Sequence, residues 1–179
     1  MLSVTCFLSP LCCCPFFCCH RDPTVTAAAK TSLAAQLEST LHREIPITKA
    51  MGMTVRDYDG TRLTIAAPLA PNINLHGTGF AGSLYTIAVT CGWSMTYLQL
   101  LEAGVDGSIV IADADIKYIA PERGELVARC DLSTHAEFAT ALTTLRSKGK
   151  ARFSLIVTVG PPGDPVARFT GRYAVRLHQ

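Results

Sequence analysis

The chain has 179 residues, of which 49% are hydrophobic and 17% are charged, and its formal net charge at pH 7 is +2. This length predicts one domain with a sizeable buried core. The small charge, with no basic surface interleaved with aromatic side chains, argues against a nucleic-acid-binding protein.

Residues 1–29 differ in composition from the rest, and we predict that they form a cysteine-rich, disordered leader before one domain over residues 30–179. Six of the eight cysteines precede residue 20, and only Cys91 and Cys130 lie in the domain. A disulfide scaffold spreads its cysteines through the fold, so the domain is predicted to be reduced and intracellular, in the cytoplasm or an organelle. Two other interpretations of the leader stay open. They are membrane association by S-acylation of the clustered cysteines, and a zinc site with His20, against which counts the lack of a second ligand pair at proper spacing.

The domain is predicted to begin with one helix and a strand pair. Residues 30–45 carry apolar side chains at four-residue spacing, which predicts a short amphipathic helix that ends before Pro46. Residues 52–58 and 61–69 are predicted strands joined by an Asp-Gly hairpin turn.

Residues 80–101 are the centre of the predicted fold. No charged residue lies between Phe80 and Gln99, and a helix that is apolar nearly all round has to be buried. At 1.5 Å per residue this helix would be about 33 Å long, enough to span a bilayer. Its Gly, Ser and Thr positions, and the lack of flanking Lys or Arg, favour a core helix instead. Gly104 is a fitting residue just past its end.

A glycine-rich stretch with Gly77, Gly79 and Gly82 leads into this helix. The N-terminus of a helix presents unpaired N–H groups and the positive end of the dipole, and glycines let a ligand approach closely. A thioester carbonyl that becomes an oxyanion is one ligand suited to that position. The alternative is that the glycines only permit a tight turn and close helix–sheet packing.

The second half of the domain is predicted to be rich in strands. They are expected at residues 108–119, 125–132, 150–159 and 166–177, with a helical or irregular segment at 136–147. The last strand alternates apolar and polar residues most regularly, as in an antiparallel sheet with one buried face. The order of elements therefore predicts an α+β fold, with one antiparallel sheet wrapped around a long central helix.

Three motifs carry a resemblance to a known family. They are PNINLHGTGFAGSLYT (residues 71–86), TCGW (residues 90–93) and VIADADIKYIAP (residues 110–121). With the order of elements, they resemble the hotdog-fold thioesterase superfamily. Within it they resemble the thioesterase family that forms the C-terminal half of some bacterial acetyltransferase–thioesterase fusions. The likeness covers residues 30–178.

The resemblance implies acyl-CoA or acyl-carrier thioester substrates, and so a place in lipid metabolism. It implies no metal and no cofactor beyond the coenzyme A moiety of the substrate. It also implies a homodimer or a dimer of dimers with sites between subunits.

The chain departs from the family pattern at one point. Several hotdog thioesterases carry a catalytic Asp or Glu on the central helix, about two turns past the glycine-rich entry. That position falls here near Val89 or Thr90, and neither can act as a base. If the protein is a hydrolase, its carboxylate comes from elsewhere, and Asp113 and Asp115 are the nearest candidates.

Thioester hydrolysis needs an activated water and a donor for the carbonyl oxygen. We predict Asp113 as the general base, because its strand is apolar on both sides and an acid that is buried there, or lies at an interface, suits that task. The alternative is an ion pair with Lys117, a role for which Asp115 is better placed. Asn74 and His76 are predicted to assist by orienting water or donating to the substrate. Their alternatives are a turn role and a plain loop position.

Substrate binding is predicted at two places. The backbone N–H of Gly82 or Ser83 is the expected oxyanion donor, although capping the helix is the favoured role for the Ser83 side chain. The predicted binding residues are Gly82, Ser83, Thr78 and Phe80 at the helix entry, and Lys148, Lys150 and Arg152 in a basic run. That run either meets the phosphates of a CoA tail or is a solvated turn.

Three functions are consistent with these residues. The leading hypothesis is a homodimeric acyl-thioester hydrolase. A non-hydrolytic acyl-thioester binding module is the first alternative, because the helix lacks an acid. A hotdog hydratase or dehydratase is disfavoured, because the Asp–His arrangement of that branch is not evident.

Overall fold

The computed structural model describes residues 27–132 and 135–178. The predicted cysteine-rich leader, residues 1–29, therefore lies outside the described residues, except that residues 27–29 belong to the first helix. In chain order the elements are α1 (Ala27–Glu44), α2 (Pro46–Ala50), β1 (Thr54–Tyr58), β2 (Arg62–Ala67), a 3-10 turn (Ala70–Asn72), α3 (Ala81–Glu102), β3 (Gly107–Tyr118), β4 (Leu126–Asp131), α4 (His135–Lys148), β5 (Lys150–Val159) and β6 (Ala167–Leu177).

The six strands form one sheet in the order β1-β2-β4-β5-β6-β3, and every neighbouring pair is antiparallel. The inner face of this sheet wraps around α3, which contacts five of the strands. The predicted α+β architecture is therefore confirmed, with the uncharged helix in the core. No helix in the described ranges is long and apolar enough to cross a membrane.

Close packing between α3 and β6 depends on a missing side chain. A Cβ at Gly92 would lie 2.2 Å from the hydroxyl oxygen of Tyr173, so only glycine fits there. The space admits the Tyr173 hydroxyl, which donates to the carbonyl oxygen of Val89 at 2.9 Å. Trp93, which directly follows Gly92, stacks its ring on Tyr97 one turn further along α3, with centroids 5.2 Å apart. Both rings pack against the main core.

The two domain cysteines lie in the same core as free thiols. Burial raises the pKa of Cys91 well above its usual range, and it raises the pKa of Cys130 to about 12. Both thiols are therefore protonated at neutral pH and poorly nucleophilic.

The segment predicted to be helical or irregular, residues 136–147, is a regular helix, α4. Strand β4 pairs with β5 only over residues 128–130, and α4 packs beside the first half of β5. Side chains from α3, α4, β5 and β6 form a second apolar cluster there: Leu100, Phe138, Leu142, Leu145, Phe153 and Val175. The short helix α2, which the sequence patterns did not predict, begins at Pro46 and turns the chain towards β1.

The two edges of the sheet differ. Helix α1 lies along the β1 edge, where the Glu38 carboxylate accepts a hydrogen bond from the N–H of Val55 at 2.7 Å. The β3 edge has no neighbouring strand among the described residues, and it carries exposed apolar side chains at Val110 and Ile111.

Candidate functional site

The loop before α3 is organised by the side chain of Asn74. Its carbonyl oxygen accepts the backbone N–H of His76 at 2.8 Å and that of Thr78 at 3.2 Å. Its amide nitrogen donates to the Thr78 hydroxyl at 3.0 Å and to the carbonyl oxygen of Gly79 at 3.2 Å. Asn74 therefore makes the turn that was its alternative role. Gly77 lies in this turn with φ of 75°, a backbone conformation that favours glycine.

Asn72 anchors the same loop in the core. It is 1% exposed, and its amide nitrogen donates to the carbonyl oxygens of Met51 at 2.9 Å and Pro68 at 2.8 Å. The backbone carbonyl oxygen of Asn72 accepts the N–H of Phe80 at 2.7 Å, so Asn72 ties the start of α3 to the 3-10 turn. Asn72 thus has a structural role, while its side-chain oxygen Oδ1 is buried without a hydrogen-bond partner among the described residues.

The first turn of α3 leaves backbone donors free. Phe80 is the N-cap residue in an extended conformation, and no side chain caps the helix. The first intrahelical bond runs from the N–H of Leu84 to the carbonyl oxygen of Phe80, so the N–H groups of the three residues between them have no partner in the helix. The favoured prediction that Ser83 caps α3 is wrong, because Ser83 lies within the first turn and is nearly buried.

The ring of Phe80 folds over this turn. A Cβ at Gly82 would lie 2.4 Å from an edge carbon of that ring, so glycine is what lets the ring lie there. The Phe80 side chain is 54% exposed. Other exposed apolar side chains lie around the same mouth, on the loop and at the end of β3: Ile73, Leu75, Tyr118 and Ile119. We call these five residues the entry patch. Grouped exposed apolar side chains are typical of surfaces that bind a ligand, a membrane or another protein.

The end of β3 holds the helix start in place. The Tyr118 hydroxyl donates to the carbonyl oxygen of Ala81 at 3.0 Å, and the N–H of Gly79 donates to the carbonyl oxygen of Glu122 at 2.7 Å. Glu122 itself is 7% exposed, and one carboxylate oxygen accepts the N–H of Gly124 at 2.9 Å. The other oxygen is buried and has no hydrogen-bond partner among the described residues. The sequence reasoning missed Glu122, although it directly follows the Tyr–x–x–Pro pattern at the end of β3.

Asp113 is not buried in the chain. Its side chain is 57% exposed, and its carboxylate accepts a hydrogen bond from the Arg172 guanidinium at 2.8 Å. Burial within the chain was therefore a wrong expectation, because β3 is an edge strand and Asp113 lies on the outer face of the sheet, whereas the expected interface position stays a prediction. The expected ion-pair partner, Lys117, lies opposite Arg168 instead. A catalytic role for Asp113 stays a prediction.

The remaining predicted residues fall into two groups. His76 lies on the exposed tip of the entry loop, and Thr78 is nearly buried beneath it. Lys148 is the last residue of α4, and Lys150 and Arg152 lie in β5. This segment is near the C-terminal end of α3, because Arg146 of α4 donates to the carbonyl oxygen of Ala103 at 2.8 Å. A helix of 22 residues extends about 33 Å. Within one chain the basic run therefore lies at the far end of the molecule from the glycine-rich entry, and the structure does not bring the two together.

Comparisons with known proteins agree with this architecture. A family model described as putative thioesterase (yiiD_Cterm) matches residues 34–177. A protein of unknown function from Chlorobaculum tepidum is 34% identical, with a TM-score of 0.80 over 83% of this chain and 97% of that one. A putative thioesterase from Shewanella oneidensis is 37% identical, with a TM-score of 0.73 over 83% of this chain and 99% of that one. A protein of unknown function from Pseudomonas aeruginosa shares the fold at 20% identity, with a TM-score of 0.69 over 80% of this chain and 95% of that one.

Proposed function

Because this chain belongs to the hotdog-fold thioesterase family whose model it matches, we propose that it hydrolyses the thioester bond of an acyl-CoA or an acyl-carrier protein. The products are the free fatty or carboxylic acid and the free thiol. The substrate itself supplies the coenzyme A moiety, and the reaction as proposed uses no other cofactor.

The observation that carries this proposal is the uncapped start of α3. The N–H groups of Gly82 and Ser83 have no partner in the helix, and they lie behind a loop that Asn74 and Gly79 hold in one shape. Donors fixed in advance at the positive end of a helix stabilise the oxyanion that forms when water attacks a thioester carbonyl. The entry patch supplies apolar surface for the acyl chain at the same mouth.

We further propose that two copies of the chain pair through their β3 edges. β3 is 12 residues long, and no strand covers its outer edge in the described part of the chain. Antiparallel pairing of two such edges sets the end of one β3 beside the start of the other. The basic run of one copy is thereby brought towards the helix entry of its partner. That arrangement would let Lys148, Lys150 and Arg152 meet the phosphates of a CoA tail.

A second candidate function is a module that binds acyl thioesters without hydrolysing them. It is favoured by one observation, since α3 carries no acidic side chain before Glu102 at its last position. A hydrolase therefore needs a carboxylate from outside this helix, whereas a binding module needs none.

The release of free thiol from a panel of acyl-CoAs separates these functions. The full chain is mixed with acyl-CoAs of short, medium and long chain, and free CoA is followed with a thiol reagent. Hydrolysis that saturates with substrate supports the proposal. Saturable binding without release supports the module, and conversion of an enoyl-CoA to a hydroxyacyl-CoA would indicate a hydratase.

A further inference from the structure

Glu122 is a buried carboxylate against the loop that leads into α3. Its carbonyl oxygen accepts the N–H of Gly79, two residues before the helix begins. A Cβ at Gly79 would lie 3.1 Å from the Cβ of Glu122, so the two backbones approach as closely as a glycine allows. The helix entry and the Glu122 side chain are therefore parts of one packed unit.

The carboxylate of Glu122 is only half satisfied. One oxygen is held by the N–H of Gly124, and this bond fixes the orientation of the group. The second oxygen, Oε2, is closed off from solvent and has no hydrogen-bond partner in residues 27–132 or 135–178. Leaving a buried acceptor without a hydrogen-bond donor is costly, because the group gives up its bonds to water and gains none in return. Each such group in a folded protein needs an explanation, and a catalytic role or a bound molecule that donates to it is one.

Other carboxylates in this part of the chain are already paired or lie on the outer surface. Asp113 is exposed and bound to Arg172. Glu125, three residues after Glu122, forms an exposed ion pair with Arg56 at 2.5 Å. Glu122 is the buried acid at the mouth of α3, where the substrate thioester is proposed to lie.

We propose that Glu122 is the general base of the thioester hydrolysis, in place of the acid that α3 lacks. This inference rests on the function proposed above. The free oxygen of Glu122 takes a proton from one water molecule as the water oxygen bonds to the thioester carbonyl carbon. The carbonyl electrons move onto the oxygen held by the N–H groups of Gly82 and Ser83. When that intermediate collapses, the C–S bond breaks and Glu122 returns the proton to the departing thiolate.

The burial of Oε2 determines which water takes part. Because bulk solvent does not reach this oxygen, the proposed reaction requires that substrate binding opens room for one water between the carboxylate and the thioester. Excluding other water also strengthens the interaction between the carboxylate and the proton that it accepts.

The test compares two glutamates of the same turn. Glu122→Gln keeps the shape of the side chain and an oxygen for the N–H of Gly124, but it removes the base. We expect kcat to fall at least about 100-fold while KM changes little, since general-base catalysis contributes about 100- to 10,000-fold. Glu125→Gln removes an exposed carboxylate from the same turn and is expected to leave both constants within about threefold.

A second variant separates a missing base from a damaged structure. Glu122→Ala leaves a space beside Gly79, and added formate is expected to restore a measurable part of the lost turnover, because a small carboxylate can occupy that space. Full turnover in Glu122→Gln would overturn the inference, as would a loss in Glu122→Ala that formate does not relieve. Loss of turnover in Asp113→Asn with normal turnover in Glu122→Gln would return the role to Asp113. A wild-type chain that releases no CoA at all would instead overturn the proposed function.

Discussion

The two edge strands of the sheet, β1 and β3, differ in whether another element of the chain covers their free backbone groups. Along β1, helix α1 supplies side chains to the strand: Glu38 accepts the N–H of Val55, and the His42 ring pairs with the carbonyl oxygen of Met53 at 2.8 Å. Along β3 no element of the described chain plays this part, and Val110 and Ile111 are 59% and 40% exposed. Proteins cover or blunt long apolar edges because such edges pair with other chains. The β1 edge is covered by α1 of the same chain, and the β3 edge is available for a partner strand.

The largest expected effect comes from placing a charge on the open edge. Ile111→Lys should weaken the proposed dimer at least about 100-fold, because each copy would place an unpaired charge beside the joined edges where the wild type has an apolar side chain. Sedimentation velocity over a range of protein concentrations measures this change. Ile156→Lys is the control, since Ile156 is a comparably exposed apolar residue in the interior strand β5. A wild-type chain that stays monomeric at all concentrations would contradict the edge-pairing proposal.

A smaller effect, on the free energy of unfolding, is expected when the contact of α1 with the β1 edge is removed. Glu38→Ala removes the acceptor of the Val55 N–H and should lower the free energy of unfolding by about 1–2 kcal/mol, without changing the oligomeric state. Denaturant unfolding followed by circular dichroism measures this change. The control is Glu44→Ala, because Glu44 lies on the same helix but makes only an exposed pair with its neighbour Arg43. Equal losses for the two variants would show that Glu38 does not seal the edge.

Tyr118→Phe tests whether the C-terminal end of β3 holds the start of α3 in place. Removing the hydroxyl deletes the bond to the carbonyl oxygen of Ala81 and should cost about 0.5–1.5 kcal/mol locally. Hydrogen exchange at the amides of residues 79–84 should become faster, while exchange in β1 stays unchanged. Unaltered exchange at the helix entry would show that this bond does not hold the site.

The smallest effect is expected for the ion pair on the outer face of β3. Arg172→Gln leaves Asp113 without its partner, and because both side chains are more than half exposed, stability should change by about 0.5 kcal/mol or less. Thermal unfolding of the variant beside the wild type measures this. A loss several times larger would mean that this face is buried in the assembled protein.

Much of the architecture was predictable because local patterns and the fold agree. The uncharged stretch at residues 80–101 predicted a buried helix within one residue of its observed bounds, and the alternation at 166–177 predicted strand β6. Periodicity reports which face of an element is buried, and this explains the success. It does not report which strand lies at an edge. For this reason the apolar neighbours of Asp113 were interpreted as a sign of burial, although they belong to an exposed edge strand.

The candidate site was predictable only in part. The glycine-rich entry was located from its composition, and the structure places Asn74, Thr78 and Gly79 in one hydrogen-bonded loop there. Glu122 was not found, because its neighbours in sequence, Pro121 and Arg123, indicate an exposed turn. Its burial arises from Gly79, which is distant in sequence and packs against it.

The sequence by itself determined the six strands, the first helix and the buried central helix, though not α2 and not the helical state of α4, because hydrophobic periodicity and turn residues act over a few neighbours. Only the tertiary structure decided which strands lie at the edges, which acid is buried and how far the basic run lies from the helix entry. Those properties depend on contacts between residues far apart in the chain, and no local pattern encodes the order in which strands pair.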